Sequence, residues 1–138
     1  MKSASERSER GAVAVEFALV MPLVILLVLG AIDFGLLLQA RAQAANAARE
    51  GVRAAALGRT KADSEAIALN ALTGVLGDVK AHAECVAVVG LPRTCTLGGA
   101  SSGDDAKVSV TIRYQGVTGL FPMLADAEIV SVSTMRIE

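Results

Sequence analysis

The chain has few of the residues on which enzyme and metal sites are built. Its 138 residues include one histidine and two cysteines. It contains no GxxxxGK[ST], dinucleotide-binding or HExxH motif. His82 alternates with charged residues, so we expect it on a solvated strand face. The cysteines lack the close spacing of a zinc site. The sequence therefore predicts a protein that is not an enzyme and has neither cofactor nor metal.

An excess of charge of either sign is also missing. Thirteen basic and fourteen acidic residues give a formal charge of -1, which indicates neither a nucleic-acid surface nor an acidic tail. Aromatic residues make up 3% of a chain that is 53% hydrophobic. No internal repeat is visible, and Asp104 and Asp105 are expected in a solvated hairpin loop rather than around a cation. The length allows one modest domain plus an anchor.

An apolar run is the clearest feature that is present. Residues 17–32 carry no charge, and after Asp33 the run continues to Leu38. As one helix, residues 12–38 would extend about 40 Å, against about 30 Å for the hydrocarbon core of a bilayer. We therefore predict a single membrane span, with Glu16 and Asp33 near its edges. The sequence itself identifies no partner for Asp33.

A secretory signal peptide is the alternative to an anchor. Residues 1–10 are polar, and Ala40-Arg41-Ala42 offers a small-x-small site that would release a soluble domain after Ala42. The apolar run exceeds the roughly 7 to 15 residues of a signal-peptide core, which favours the anchor. Basic residues flank both ends of the run, so the charge rule leaves the orientation open.

The helical pattern continues past the apolar run as far as Leu57, with Gly58 as its stop. Asp33 and a set of mainly small residues share one arc of this helix. That set is Leu36, Leu37, Ala40, Ala44, Ala47, Ala48, Gly51, Ala54 and Ala55. Such a stripe suits packing beside other helices in an assembly. It equally suits covering the protein's own sheet, which we favour for residues 40–55.

The remainder predicts a short helix and a small antiparallel sheet. The helix is expected at residues 61–73, capped by Thr60. Alternating patterns predict strands at residues 79–89, 108–114 and 129–137. The predicted fold class is α+β: a long N-terminal transmembrane helix that continues outside the membrane, then this pilin-like domain of about three strands.

Two connecting segments complete the prediction. Residues 90–106 have the composition of a loop, and residues 115–126 are irregular with an apolar clip at residues 120–124.

Cys85 and Cys95 are the only cysteines. Outside the cytoplasm they are expected to pair, and closing a loop of about ten residues would add roughly 2 to 3 kcal/mol of stability. Two reduced thiols and a metal site are the alternatives.

Glu16 needs a partner, because a carboxylate in hydrocarbon costs roughly 2.5 to 3.5 kcal/mol at the centre of a helix and less toward an end. If a protease cut after Gly11, the new amino group of Ala12 would be positive at neutral pH, with a reference pKa of about 7.7 to 8.0. A neighbouring copy displaced along the helix axis could present that amine to Glu16. The alternative is an interfacial residue on an uncut anchor, which leaves Gly11 unexplained.

The segment GAVAVEF at residues 11–17 resembles the prepilin peptidase site of type IV pilins, with glycine before the cut and glutamate fifth in the mature chain. Four further segments resemble the TadE-like family of minor pilins or pseudopilins of the tight-adherence (Flp type IVb) pilus. They are EFALVMPL at 16–23, DFG at 33–35, AAREGVR at 47–53 and STMRIE at 133–138.

This resemblance implies a cytoplasmic leader at residues 1–11, an N-terminal helix at 12–58 with its transmembrane part at 12–38, and an extracytoplasmic domain at 59–138. It implies processing between Gly11 and Ala12, and assembly through Glu16. The implied location is the inner membrane or a pilus. The folded outer domain fits a minor or priming role.

The partners that it implies are the prepilin peptidase, other pilins or pseudopilins, Tad inner-membrane components and the lipid bilayer, with no nucleic acid. An uncleaved anchored binding domain, which docks a partner through residues 120–124, is the alternative.

Overall fold

The computed structural model describes residues 4–75, 77–87, 95–100, 102–117 and 127–137. Over these residues the chain has two helices followed by a three-stranded antiparallel sheet, so the predicted α+β fold is confirmed. The elements are α1 (Ala4–Ala56), α2 (Lys61–Asn70), β1 (Gly77–Val86), β2 (Asp105–Tyr114) and β3 (Ala127–Arg136). The predicted apolar clip at residues 120–124 lies outside the described residues.

Helix α1 is continuous through Pro22 and begins at Ala4, ahead of the predicted start at residue 12. It stops where the sequence predicts. Gly58 has a φ of +80°, in the left-handed region that glycine adopts without strain. The Gly58 N–H donates to the carbonyl of Ala55 and the Arg59 N–H to that of Ala54, each at 3.1 Å. This is a Schellman ending, which satisfies the last carbonyls of the helix.

Helix α2 begins at the predicted cap. The Thr60 hydroxyl accepts the Asp63 N–H at 3.2 Å, which satisfies a backbone donor that the first turn leaves unpaired. The helix ends at Asn70 rather than at residue 73. Its last turn tightens, because the Leu72 N–H donates to the carbonyl of Leu69, and Gly74, with a φ of +68°, then redirects the chain.

The sheet has the strand order β1-β2-β3, with β2 in the centre. Alternate residues of β2 from Ala106 to Tyr114 are buried, as expected for a strand with one face against the core. β1 ends at Val86, short of the predicted residue 89, although residues 88–94 lie outside the described residues.

The loop prediction for residues 90–106 is wrong at its end. Asp105 already belongs to β2 and pairs with Arg136 of β3, whose Nε lies 3.4 Å from its carboxylate. Asp104, predicted to be solvated, is only 1% exposed. It is held beside β3, because its carbonyl accepts the Ile137 N–H at 2.8 Å.

The core lies between the sheet and the second half of α1. The alanine and glycine stripe of α1 is buried there, which confirms that this part of the helix covers the protein's own sheet. Gly51 lies at a close approach of α1 to two other elements. A Cβ at this position would lie 2.9 Å from the Cβ of Ala68 in α2 and 3.0 Å from Cγ1 of Val108 in β2. Small residues on α1 thus let two elements approach its backbone.

Candidate functional site

The first half of α1 projects from the domain as an uncovered apolar helix. In its most apolar window the mean hydropathy is 2.6, and none of that window is buried. Leu19 is 75% exposed and Leu27 is 67% exposed. A core helix of a soluble protein would bury such residues, so this surface needs another apolar environment. The helix is therefore compatible with a single-pass membrane anchor.

Glu16 lies on this uncovered part of the helix and is exposed. Among the side chains that the structure describes, none forms a hydrogen bond or an ion pair with it. Gly11 is also exposed, and a Cβ there would meet nothing within 4 Å. The chain thus leaves both predicted processing and assembly residues open to other molecules. The side chain of Ala12 is not among those described.

Asp33 has the partner that sequence reasoning did not find. It is only 1% exposed, and its Oδ1 accepts the backbone N–H of Val117 at 3.2 Å. Its own carbonyl accepts the hydroxyl of Tyr114, the last residue of β2, at 3.4 Å. Both contacts join α1 to the end of β2. The position of Asp33 on the same arc as the buried stripe was the signal that could have placed it against the domain.

Tyr114 is buried at this junction, with 1% exposure. Burial raises the pKa of its phenol above the ordinary value of 10.0, and the nearby negative charge of Asp33 raises it further. Both effects disfavour the phenolate. The hydroxyl consequently stays protonated and remains a donor to the Asp33 carbonyl across the neutral range.

The junction bears on the signal-peptide alternative. Leu37 and Ala40 are each 4% exposed and belong to the core, as Asp33 belongs to the junction. Cleavage after Ala42 would remove all three from the folded domain. The first half of α1 is uncovered, but the segment from Asp33 onward is part of the domain, which argues against release at that site.

Cys85 and Cys95 form a disulfide, with their Cα atoms 5.4 Å apart, so the predicted pairing is confirmed. The sulfurs and a carboxylate oxygen of the buried Asp104 lie within 4.8 Å of one another. While the disulfide is intact, these sulfurs are not available as thiolate ligands for a metal.

His82 lies on the exposed face of β1, between Lys80 and Glu84, as predicted. The imidazole Nδ1 lies 3.6 Å from Oε1 of Glu65, a side chain of α2. The same oxygen accepts the Ala83 N–H at 2.9 Å, so α2 covers part of the free edge of β1. Glu84 of β1 pairs with Lys107 of β2. The hydrogen bond from Lys107 and its positive charge lower the pKa of Glu84.

The family model described as TadE-like protein matches residues 11–53. No match is found among curated proteins or among solved structures. The matched segment starts at Gly11 and includes the uncovered helix, Asp33 and most of the buried stripe. This match indicates a protein associated with the Tad pilus. The resemblance to this family that was drawn from the sequence is therefore confirmed over residues 11–53.

Proposed function

We propose that the protein is a minor pilin or pseudopilin of a tight-adherence pilus or a related secretion machine, and not an enzyme. It is made as a precursor, cut after Gly11 by a prepilin peptidase and held in the inner membrane, with its C-terminal domain outside the cytoplasm. From there it enters or initiates a pilus. The observation that carries this proposal is Glu16, an exposed acid on an uncovered apolar helix, five residues after an exposed glycine.

Cleavage would give this acid a partner. In the mature chain the helix would begin at Ala12, so its free amine and unpaired N–H groups would form a positive end. Within one chain the amine would stand about 6 Å along the axis from the level of Glu16. A neighbouring copy displaced along the axis can bring its amine directly to the carboxylate. In a low-dielectric environment such a pair attracts far more strongly than in water, so this contact would favour assembly in one register.

The helix also leaves room for a neighbour. Ala31 and Gly35 are both exposed, and they form a small-xxx-small pair of the kind that lets membrane helices approach closely. A Cβ on Gly35 would meet nothing within 4 Å in the protein itself. The stripe from residue 40 onward is already used by the domain. Contacts between copies are thus expected below residue 40, in the uncovered part of α1.

The test compares Glu16→Gln with Glu16→Asp in cells that make the pilus. Glutamine keeps the shape but removes the charge, whereas aspartate keeps the charge on a shorter side chain. Losing one member of a desolvated ion pair costs about 3 to 5 kcal/mol, so we expect at least roughly a hundredfold loss of the Gln variant from sheared pili. The Asp variant should retain part of the incorporation.

Processing is measured separately by intact mass of membrane-extracted protein. With the peptidase present, the wild-type chain should begin at Ala12, and Gly11→Leu should stay uncut. An uncleaved binding domain instead predicts the precursor mass in both cases and no effect of Glu16→Gln. That pair of results would overturn the proposal.

A further inference from the structure

The base of the outer domain is fixed at one level of α1. The N–H of Val117 donates to the carboxylate of Asp33, and the Tyr114 hydroxyl donates to the Asp33 carbonyl. Tyr114 at the end of β2 and Val117 therefore lie at the height of residue 33 along the helix. These two hydrogen bonds hold this height together with the packing of α1 against the sheet.

The apolar helix below that level has the length of a bilayer core. Residues 13–32, at about 1.5 Å each, extend about 30 Å, which equals the hydrocarbon thickness. If these residues span the membrane, Asp33 stands at the boundary between hydrocarbon and headgroups. Within the predicted span of residues 12–38, the domain covers one face of the helix from Asp33 onward, where Asp33 and Leu37 are buried while Leu38 is 47% exposed.

Two large apolar side chains are exposed at this level. Phe34 on α1 is 55% exposed, and Val117 on the domain is 56% exposed. Phe34 follows Asp33 in the chain and the Val117 N–H is bonded to the Asp33 carboxylate, so both residues lie next to the outer end of the uncovered apolar helix. The carboxylate of Asp33 lies next to Phe34 and Val117 but is buried, so it adds no exposed charge to this apolar surface.

We propose that the base of the outer domain rests in the lipid interface, through Val117 and Phe34, on the side of the membrane where the domain folds. The occupant of this apolar surface is lipid, since the surface lies next to the outer end of the membrane-facing helix. The inference rests on the proposed membrane anchoring. The inference goes beyond that anchoring, because the domain as well as the helix then contacts lipid and is held at a fixed depth.

The charges near the base indicate that the contact is apolar. Asp78, Arg113 and Glu128 lie side by side in the register of the three strands and are exposed. Two acids and one base give no attraction to anionic headgroups. Contact through Val117 and Phe34 is therefore expected to be independent of the fraction of anionic lipid.

Tryptophan fluorescence can measure this depth, because the sequence has no tryptophan. Full-length Val117→Trp is reconstituted in phosphatidylcholine nanodiscs whose acyl chains carry bromine either near the headgroup or near the chain end. Leu26→Trp, in the uncovered helix, is the positive control. Val132→Trp, on the outward face of β3 and 52% exposed in the wild type, is the control for a residue away from the membrane.

We expect Val117→Trp to lose emission with shallow bromine more than with deep bromine, and Leu26→Trp to lose emission with deep bromine. Val132→Trp should lose none. Phe34→Trp repeats the measurement if tryptophan at position 117 disturbs the junction. Adding Asp33→Ala to Val117→Trp should reduce the shallow quenching, because the backbone N–H of residue 117 then loses the carboxylate that holds it at this level.

The outcomes separate the two proposals. If Leu26→Trp is quenched while Val117→Trp and Phe34→Trp are not, the inference is overturned and the anchor survives. If Leu26→Trp is also unquenched, the membrane anchoring itself is wrong. Shielding of Val117→Trp that appears only at high protein-to-lipid ratio would identify another copy as the occupant and would equally overturn the lipid contact.

Discussion

The carboxylate of Asp33 accepts the backbone N–H of Val117 at 3.2 Å, across 84 positions of sequence. This bond ties the helix that leaves the domain to the residues just after the central strand. Asp33 lies in the long helix, and its backbone carbonyl is bonded to Tyr114 as well. One residue of the helix thus holds the base of the sheet at two points.

Replacing Asp33 by alanine is expected to destabilise the outer domain. A hydrogen bond to a charged group contributes about 1.5 to 3 kcal/mol, and the Val117 N–H would lose its acceptor. Asparagine keeps a neutral acceptor, so Asp33→Asn should cost less. Thermal unfolding followed by circular dichroism in detergent measures the difference. Asp78→Ala, at an exposed position on β1, is the control with an expected change within about 0.5 kcal/mol. Equal stability of the Asp33→Ala and Asp78→Ala variants would contradict this role.

Gly51→Ala is expected to destabilise the fold by about 1 to 3 kcal/mol, the usual cost of overpacking. The new methyl group would lie within 3.1 Å of the Ser64 carbonyl oxygen, a backbone atom that cannot simply rotate away. Gly35→Ala is the matched control, because a Cβ there meets nothing in the protein and alanine favours a helix by about 1 kcal/mol. Denaturant unfolding of both variants should give shifts of opposite sign. A stabilised Gly51→Ala would show that α1 and α2 are not in contact at this point.

Removal of the disulfide through Cys85→Ala and Cys95→Ala should cost roughly 2 to 3 kcal/mol, since the unfolded chain regains the freedom of the closed loop. The bond joins a strand that pairs with only one neighbour to residues ahead of β2. A reducing agent should destabilise the wild-type chain by a similar free energy, which is measured as a lower melting temperature. It should leave the double variant unchanged. A wild-type chain that is insensitive to reduction would contradict a stabilising role.

The sequence predicted most of the fold because a helix or strand that buries only one face shows a clear periodic pattern of apolar residues. The alternation from Val108 to Tyr114 placed the central strand, and the arc that includes Ala44 and Ala48 placed the buried face of α1. The prediction failed where tertiary contacts override composition. Asp104 looked solvated beside Gly103, but it is buried next to β3.

Asp33 shows the same limit at the candidate site. Its place on the arc could be read from the sequence, but its partner Val117 lies in an irregular segment without any periodic signal. Only the folded position of the chain after β2 reveals the pair. The roles of Glu16 and Gly11 are different, since they depend on other molecules and remain predictions.

Tyr114 allows the junction to be followed by pH, because it is the only tyrosine and the chain has no tryptophan. Burial, with a further contribution from Asp33, raises the pKa of its phenol above 10.0. In the folded protein the near-ultraviolet absorbance of tyrosinate should therefore appear at higher pH than in denaturant, where the midpoint should be about 10.

The raised pKa of Tyr114 makes the stability of the domain depend on pH in the alkaline range. Its contribution is complete below the unfolded pKa and is lost as the pH rises through the folded pKa, since the unfolded chain releases its proton first. Tyr114→Phe should remove the contribution of Tyr114 to this pH dependence and leave only that of the other groups that titrate in the alkaline range. Asp33→Asn should lower the titration midpoint of Tyr114 in the folded protein only part of the way to its value in the unfolded chain. Burial, which this variant keeps, is the larger cause of the raised pKa. A folded midpoint equal to the denatured one would show that Tyr114 is exposed to water, and that the end of β2 does not pack against α1.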